Sequence, residues 1–301
     1  MVDVAIIGGG PAGLQAALVL ARTRKDVIVF DSTSPPRNGA SHGVHNVLGL
    51  DGLLPAEIRS QAWAQINVYQ CAGLRKERVD NIEIDDAGVF VLSSENGTQL
   101  KAKRVIIALG YEDIYPSIEG FSEAWANTII PCPFCDGYEN RDRVWGLVIN
   151  SAMQAAHFPA LVKNWTASAR LILNQKEVVL DVKDEEKLRE NGFTIHAGSI
   201  VEIEQVNGNV KSVKLDTGEV VEIETLWWAP ARKKSALEEK VIRDFQLSLD
   251  EMGLIQTDES GQTDVKGLYA VGDVAQMPPS ALGAMVGGNT AALSIIRAWF
   301  G

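Results

Sequence analysis

The sequence predicts an α/β chain made of two Rossmann-like, three-layer (ββα) dinucleotide-binding domains, the second inserted in the first. Three observations carry this. An apolar run at 2–7 leads straight into Gly8-Gly9-Gly10-Pro11-Ala12-Gly13 and then into apolar residues at helical spacing. A second strand–turn–helix–strand plan begins near residue 143, in the middle of the chain. Two further apolar strands end in glycine turns, VIIALG at 105–110 and GLYAVGDV at 267–274, and they bracket that middle region. A domain interrupted and later resumed gives the boundaries 1–114 and 232–301, with 115–231 as the insert.

The elements follow in order. A strand at 2–7, the turn at 8–13, a helix at 14–23 and a strand at 26–30 form a βαβ unit that ends at Asp31. Residues 32–50 are a loop rich in Gly, Pro, Ser and Asn, and 55–72 reads as a helix. Residues 79–103 alternate apolar and polar between Asp-Asp and Asn-Gly breaks, a β-meander, and 104–110 is a buried strand. Residues 113–131 cross into the insert. There 143–149 is a strand, 152–162 a helix, 169–173 a strand and 181–191 a charged helix. Segments 201–206 and 210–215 flank Asn207-Gly208, a hairpin signal. Residues 220–228 close the insert, 229–239 cross back, 267–271 is a last strand, and a helix runs from about 284 to 299.

Composition narrows the function. The chain has 301 residues, 28 Lys+Arg against 39 Asp+Glu, and a net charge of −11. That balance argues against nucleic acid and anionic membranes as partners. No apolar run reaches membrane-spanning length, and the N-terminus enters a strand with no basic leader region. Three cysteines are no disulfide framework. Cytoplasmic residence with a catalytic disulfide is the expectation, with Cys71 a small buried hydrophobe.

The fingerprint Gly8, Gly10, Pro11, Ala12, Gly13 sits between a strand and a helix, the context that gives the motif meaning. Its glycines let backbone approach a pyrophosphate, and the helix N-terminus offers N–H donors. Asp31 is placed to accept from a ribose hydroxyl. Gly110 and Gly272 end the two later strands, and Asp273 can reach a ribityl or pyrophosphate hydroxyl. Together these segments resemble the FAD signature of two-dinucleotide-domain flavoproteins.

The second site is Cys132-Pro133-Phe134-Cys135-Asp136. Cysteines two residues apart close a small disulfide ring and have thiolates of lowered pKa. Asp136 beside them is a candidate proton shuttle, with an Asx-turn or helix cap as the plainer alternative. A zinc site would need a second such pair or nearby histidines, which the sequence lacks, so no metal is expected.

GGGPAG at 8–13, C-x-x-C-D at 132–136 and GLYAVGDV at 267–274 resemble the low-molecular-weight thioredoxin reductases, over nearly the whole length. The resemblance implies that Cys132 attacks the substrate, Cys135 faces the flavin and Asp136 protonates a leaving thiolate. It also implies FAD and a homodimer.

One expected feature is missing. The nicotinamide site of that family needs a second glycine fingerprint after the strand at 143–149. The chain reads VWGLVINSA at 144–152, so Val148, Ile149 and Asn150 carry Cβ atoms where pyrophosphate needs bare backbone. The following strand ends Asn174-Gln175-Lys176, one lysine in place of an arginine pair. NADPH is therefore not expected. Trp145, Trp165, Trp227 and Trp228 gather in the same domain. They read as core, or, for Trp145 and Trp228, as a platform for a second FAD. Family branches without the nicotinamide site include oxidases of small dithiols in gliotoxin and holomycin pathways, ferredoxin-linked enzymes and a two-flavin type. The loop at 37–52 resembles that of the thiol-oxidising branch. It carries His42, His45 as a candidate base near neutral pH, and Asn46 as a cofactor contact.

The expectation is an NADPH-independent, FAD-dependent thiol–disulfide oxidoreductase. Its substrate is a dithiol or disulfide, in a thioredoxin-like protein or a small molecule, with oxygen or an electron carrier at the other end. Three alternatives stay open: an oxygen-using small-molecule dithiol oxidase, an NADPH-dependent thioredoxin reductase with an atypical site, and a non-catalytic flavin redox sensor.

Overall fold

The computed structural model describes residues 1–32, 36–174, 178 and 180–300. In chain order the first unit holds β1 (Val2–Ile7), α1 (Pro11–Arg22), β2 (Val27–Phe30), α2 (Pro55–Ile66), β3 (Ala72–Arg75), β4 (Val79–Ile84), β5 (Phe90–Ser94) and β6 (Gln99–Ile107). After β7 (Glu112–Ile114) come α3 (Phe121–Ala124), β8 (Ile129–Ile130), α4 (Pro133–Asp136), β9 (Trp145–Ile149), α5 (Ala152–Val162) and β10 (Ala169–Leu173). The second unit continues with α6 (Val182–Glu190), β11 (Thr194–Ala197), β12 (Ile200–Val206), β13 (Asn209–Leu215), β14 (Val220–Glu222) and β15 (Thr225–Trp227). Then β16 (Ala231–Lys233) pairs with β7, and α7 (Ala236–Phe245), β17 (Leu268–Ala270) and α8 (Ala281–Arg297) complete the first unit.

Two compact units emerge: 1–39, 47–113 and 232–301 form one, and 40–46 with 114–231 form the other. The short segment 40–46, which carries His42, His45 and Asn46, was expected in the first domain by chain position. It packs with the second unit instead.

The first unit is a sheet in the order β3-β2-β1-β6-β5-β4, with β17 also on β6. β1 runs parallel to β2 and β6 and is apolar from Val4 to Ile7, where both faces are covered. Alternate residues feed two cores. Val4, Ile6 and Ile106 pack with α1 and α8 residues, while Ala5, Ile7 and Ile107 pack with the meander and α7. β6 changes partner midway: residues 99–102 pair antiparallel with β5, and 105–107 pair parallel with β17. The sequence pattern reads as two elements there because one strand serves two sheet environments.

The second unit has a parallel sheet, β11-β10-β9-β15-β8, and an antiparallel sheet, β12-β13-β14. Residues of β12 and β13 pack on one side of the parallel sheet and residues of α5 on the other, so the layers are sheet, sheet and helix. Three boundaries differ from expectation. The helix at 55–72 stops at Ile66, and Ala72–Arg75 forms an edge strand paired with β2. Segment 220–228 divides between the two sheets as β14 and β15. α8 starts at Ala281, where Ser280 accepts from the Gly283 N–H. Among the described residues no helix is long and apolar enough to cross a membrane.

Candidate active site

The glycine turn is built as a phosphate cradle. Gly8 has φ of +118°, and a Cβ there would lie 2.1 Å from the Ala108 carbonyl oxygen. A Cβ on Gly13 would lie 1.9 Å from the Gly8 oxygen. Gly10, the N-cap of α1, is different: a Cβ would meet nothing within 4 Å. Its bare side faces open space at a helix start that no side chain caps, with Pro11 at the first turn. Asp31 accepts from the Gly9 N–H at 3.3 Å and pairs with Arg59. Gly110 and Gly272 both take positive φ, with open space around the former and Ala12 Cβ beside the latter. Gly288 of α8, with no motif to mark it, lets that helix touch α1: a Cβ would lie 2.0 Å from the Ala12 oxygen.

Asp273 belongs to a cluster that the sequence does not reveal. The Tyr111 ring lies between the guanidinium groups of Arg37 and Arg232, at 4.4 and 4.2 Å from its centroid. Arg37 Nε is 2.9 Å from Asp113 Oδ2. Burial raises the pKa of Asp273 against the pull of Arg37 and Arg232, and burial pushes Tyr111 up to about 12. The Tyr111 hydroxyl and Asp113 Oδ1 are buried with no hydrogen-bond partner among the described residues.

In the second unit the dithiol sits on α4. Pro133 starts this single turn, and the N–H groups of Cys135 and Asp136 donate to the Cys132 carbonyl. No disulfide joins the pair; Cys132 is half-buried and Cys135 exposed. A hydrogen bond with the Cys135 side chain, helped by the backbone N–H groups of Cys135 and Phe134, lowers Cys132 to about 7 against the opposing effects of burial and Asp136. The thiol assigned by resemblance to the substrate is thus the less exposed of the two. Burial pushes Asp136 up to about 6, the Glu139 carboxylate adds to the rise, and His45 opposes it.

Asp136, His42, His45, Glu139, Asn140 and Arg143 line one cavity of about 80 Å³. His45 Nε2 lies 3.6 Å from Glu139 Oε1. Asn46, expected at the cofactor, has a φ of +64° and donates from Nδ2 to the Phe134 carbonyl at 2.7 Å, so it holds the dithiol turn. Buried Asn140 donates to the Asp136 carbonyl at 3.0 Å and accepts from Arg143 and Thr225. Sequence reasoning passed over Glu139 and Asn140. Their one signal is position, three and four residues after Asp136.

The tryptophans correct an expectation. Trp145 is fully buried, donates from Nε1 to the Asn140 carbonyl at 2.9 Å and stacks on Trp165. Trp228 is 7% exposed and meets Phe121 edge-on. Neither has a face for a ligand ring; both are core, and Trp145 braces the dithiol segment. At the turn after β9, the Asn150 N–H donates to Gln154 Oε1 at 2.6 Å, and Ser151 accepts from the Gln154 N–H. The Asn150 side chain accepts from Asn174 at 3.3 Å. The Asn150 and Gln154 N–H groups of this turn are thus both bonded within it. Gln175 and Lys176 lie outside the described residues.

A dinucleotide cradle in one unit and a C-x-x-C-D turn in the other define a nucleotide-dependent disulphide oxidoreductase architecture. The chain belongs to the pyridine nucleotide-disulphide oxidoreductase family, whose model matches residues 2–288. Thioredoxin reductase tcpT of Claviceps purpurea is 43% identical over 143 residues, which are 47% of this chain and 44% of that protein. The chain thus matches less than half the length of that relative. Thioredoxin reductase aclD of Aspergillus oryzae is 28% identical across 98% of this chain and 95% of that one. The solved structure of a putative thioredoxin reductase TrxB from Bacillus anthracis superimposes with a TM-score of 0.91 and 27% identity, covering 99% of both chains. The family implies FAD. The open side of Gly10, the uncapped start of α1 and the unpartnered Tyr111 and Asp113 atoms beside Asp273 fit such a group.

Proposed function

We propose that this chain is an FAD-dependent dithiol–disulfide oxidoreductase that does not draw electrons from NADPH. The observation that carries the second half is the β9–α5 turn. Where a nicotinamide dinucleotide needs glycines and idle N–H donors, Val148, Ile149 and Asn150 carry side chains, the Asn150 N–H donates to Gln154 Oε1, and the Gln154 N–H donates to the Ser151 hydroxyl.

The lowered pKa of Cys132 and the raised pKa of Asp136 support the following dithiol chemistry. The Cys132 thiolate attacks one sulfur of a substrate disulfide. That S–S bond breaks, a Cys132–substrate disulfide forms, and the departing thiolate takes the proton of Asp136. The Asp136 carboxylate then accepts the Cys135 proton as Cys135 attacks Cys132 Sγ. The second substrate thiolate leaves and takes up, by way of His45 and solvent, the proton Cys132 gave up earlier. The substrate gains two electrons and two protons, and Cys132–Cys135 becomes a disulfide. Each step reverses when a dithiol is oxidised. Bound FAD supplies the two-electron partner of the pair, held by the Gly8–Gly13 turn, Asp31 and Asp273.

The substrate class follows the relatives' names only coarsely: a thioredoxin-like protein or a small dithiol. Cytoplasmic residence and a homodimer belong to the same proposal. The dimer has a candidate face in α8, where exposed Leu282, Val286 and Leu293 share one side.

The test is anaerobic mixing of FAD-loaded protein. Dithiothreitol should bleach the visible flavin band and NADPH should leave it unchanged, while Cys135→Ser should block bleaching by dithiol. Rapid bleaching by NADPH would overturn the NADPH-independent reading. No bleaching by dithiols would overturn the dithiol reading.

A further inference from the structure

Glu139 has no place in the steps just given, yet it shares a cavity with the group that moves the proton. Asp136 faces Cys132 and Cys135 from its own turn, Glu139 and Arg143 from the segment that follows, and His42 and His45 from the 40–46 segment. Arg143 donates from Nη1 to Asn140 Oδ1 at 2.9 Å. Asn140 in turn fixes the Asp136 carbonyl, so the backbone between Asp136 and Glu139 is pinned. The Glu139 carboxylate lies 3.6 Å from His45 Nε2 and has a side chain 46% exposed. Two carboxyl groups and a histidine from a segment far away in sequence line one small cavity, so the charge of each acts on the others.

We propose that Glu139 is a positioning residue for proton transfer at the dithiol: it holds His45 at the cavity and governs when Asp136 releases its proton. The inference rests on the dithiol reading for its purpose. Physically it stands on the placement of three side chains. With its like charge beside it, Asp136 keeps its proton until a leaving thiolate takes it. His45, held by the Glu139 carboxylate, passes the second proton from solvent to the second substrate thiolate after Asp136 has taken the Cys135 proton. Asp136 thus cycles one proton between sulfurs, while His45 links the cavity to solvent.

The experiment uses the FAD-loaded full chain and follows the carboxylic-acid C=O infrared band that disappears in Asp136→Asn. The midpoint of that band against pH is read for wild type, Glu139→Gln, Glu139→Asp and His45→Gln. In Glu139→Gln the midpoint should move toward acid by roughly half a pH unit or more. Glu139→Asp, which keeps the charge, should restore most of it. His45→Gln should move the midpoint the other way, and gives an independent reading should Glu139→Gln lose its FAD. With dithiothreitol as substrate, Glu139→Gln should lower kcat by about tenfold with little change in KM. A midpoint unchanged in Glu139→Gln, or lowered in His45→Gln, would overturn the proposal. The infrared titration needs no turnover, so failure of the dithiol reading would show as absent thiol exchange in wild type while this coupling is still measured.

Discussion

Asp136 is where function works against stability. Its carboxyl is raised from an ordinary 3.8 to about 6, chiefly by burial. The native state therefore holds a proton that the unfolded chain has already released, and stability falls as pH rises from about 4 through about 6. Above that window the ionised carboxylate is a cost, on the order of 1 kcal/mol once solvent screening is allowed for. Asp136→Asn should accordingly raise the melting temperature at about pH 8 and leave it nearly unchanged at about pH 4. The same variant should slow dithiol turnover by roughly 10²-fold. Thermal melts at the two pH values check the first part, and stopped-flow flavin reduction the second. A variant less stable at the higher pH would show that the carboxylate is held by partners rather than strained by burial.

At the scale of elements, the glycine turn separates two roles that one motif conflates. Gly13→Ala places a methyl 1.9 Å from the Gly8 oxygen and should destabilise the flavin-free chain by about 3 kcal/mol or more. Gly10→Ala meets no protein atom within 4 Å, so the flavin-free chain should melt as wild type while FAD retention falls by about tenfold. Melting curves and released flavin per chain distinguish the two, and equal destabilisation would remove the cradle argument. This turn was legible because glycine spacing, strand and helix all agree on it. β3 was not: Ala72-Gly73-Leu74-Arg75 has no alternating pattern, and only its pairing with β2 makes it a strand. The Trp145 and Trp228 platform failed for a related reason. Aromatic identity is visible in sequence, but which way a ring faces is decided by the layers packed on it. The Arg37–Tyr111–Arg232 stack was invisible because its members lie on segments brought together only by the fold.

For the whole molecule, core tryptophans and an exposed α8 face lead to a joint expectation. Mass photometry with flavin absorbance should find two chains and two FAD per particle, one in each glycine cradle. Four flavins would restore a second ring site, and single chains would leave the Leu282, Val286 and Leu293 face without its occupant. The order of the chain adds a further consequence. The cradle at residues 8–13 precedes the dithiol unit in the chain, but α8, which seats Gly288 against Ala12, follows it. On a ribosome the turn emerges before the dithiol unit and its neighbouring helix after it. At about 5–20 residues per second, that interval is on the order of tens of seconds. A nascent chain stalled before residue 281 has made its dithiol but lacks α8. A cradle that needs α8 against Ala12 is thus completed only after both cysteines have been made.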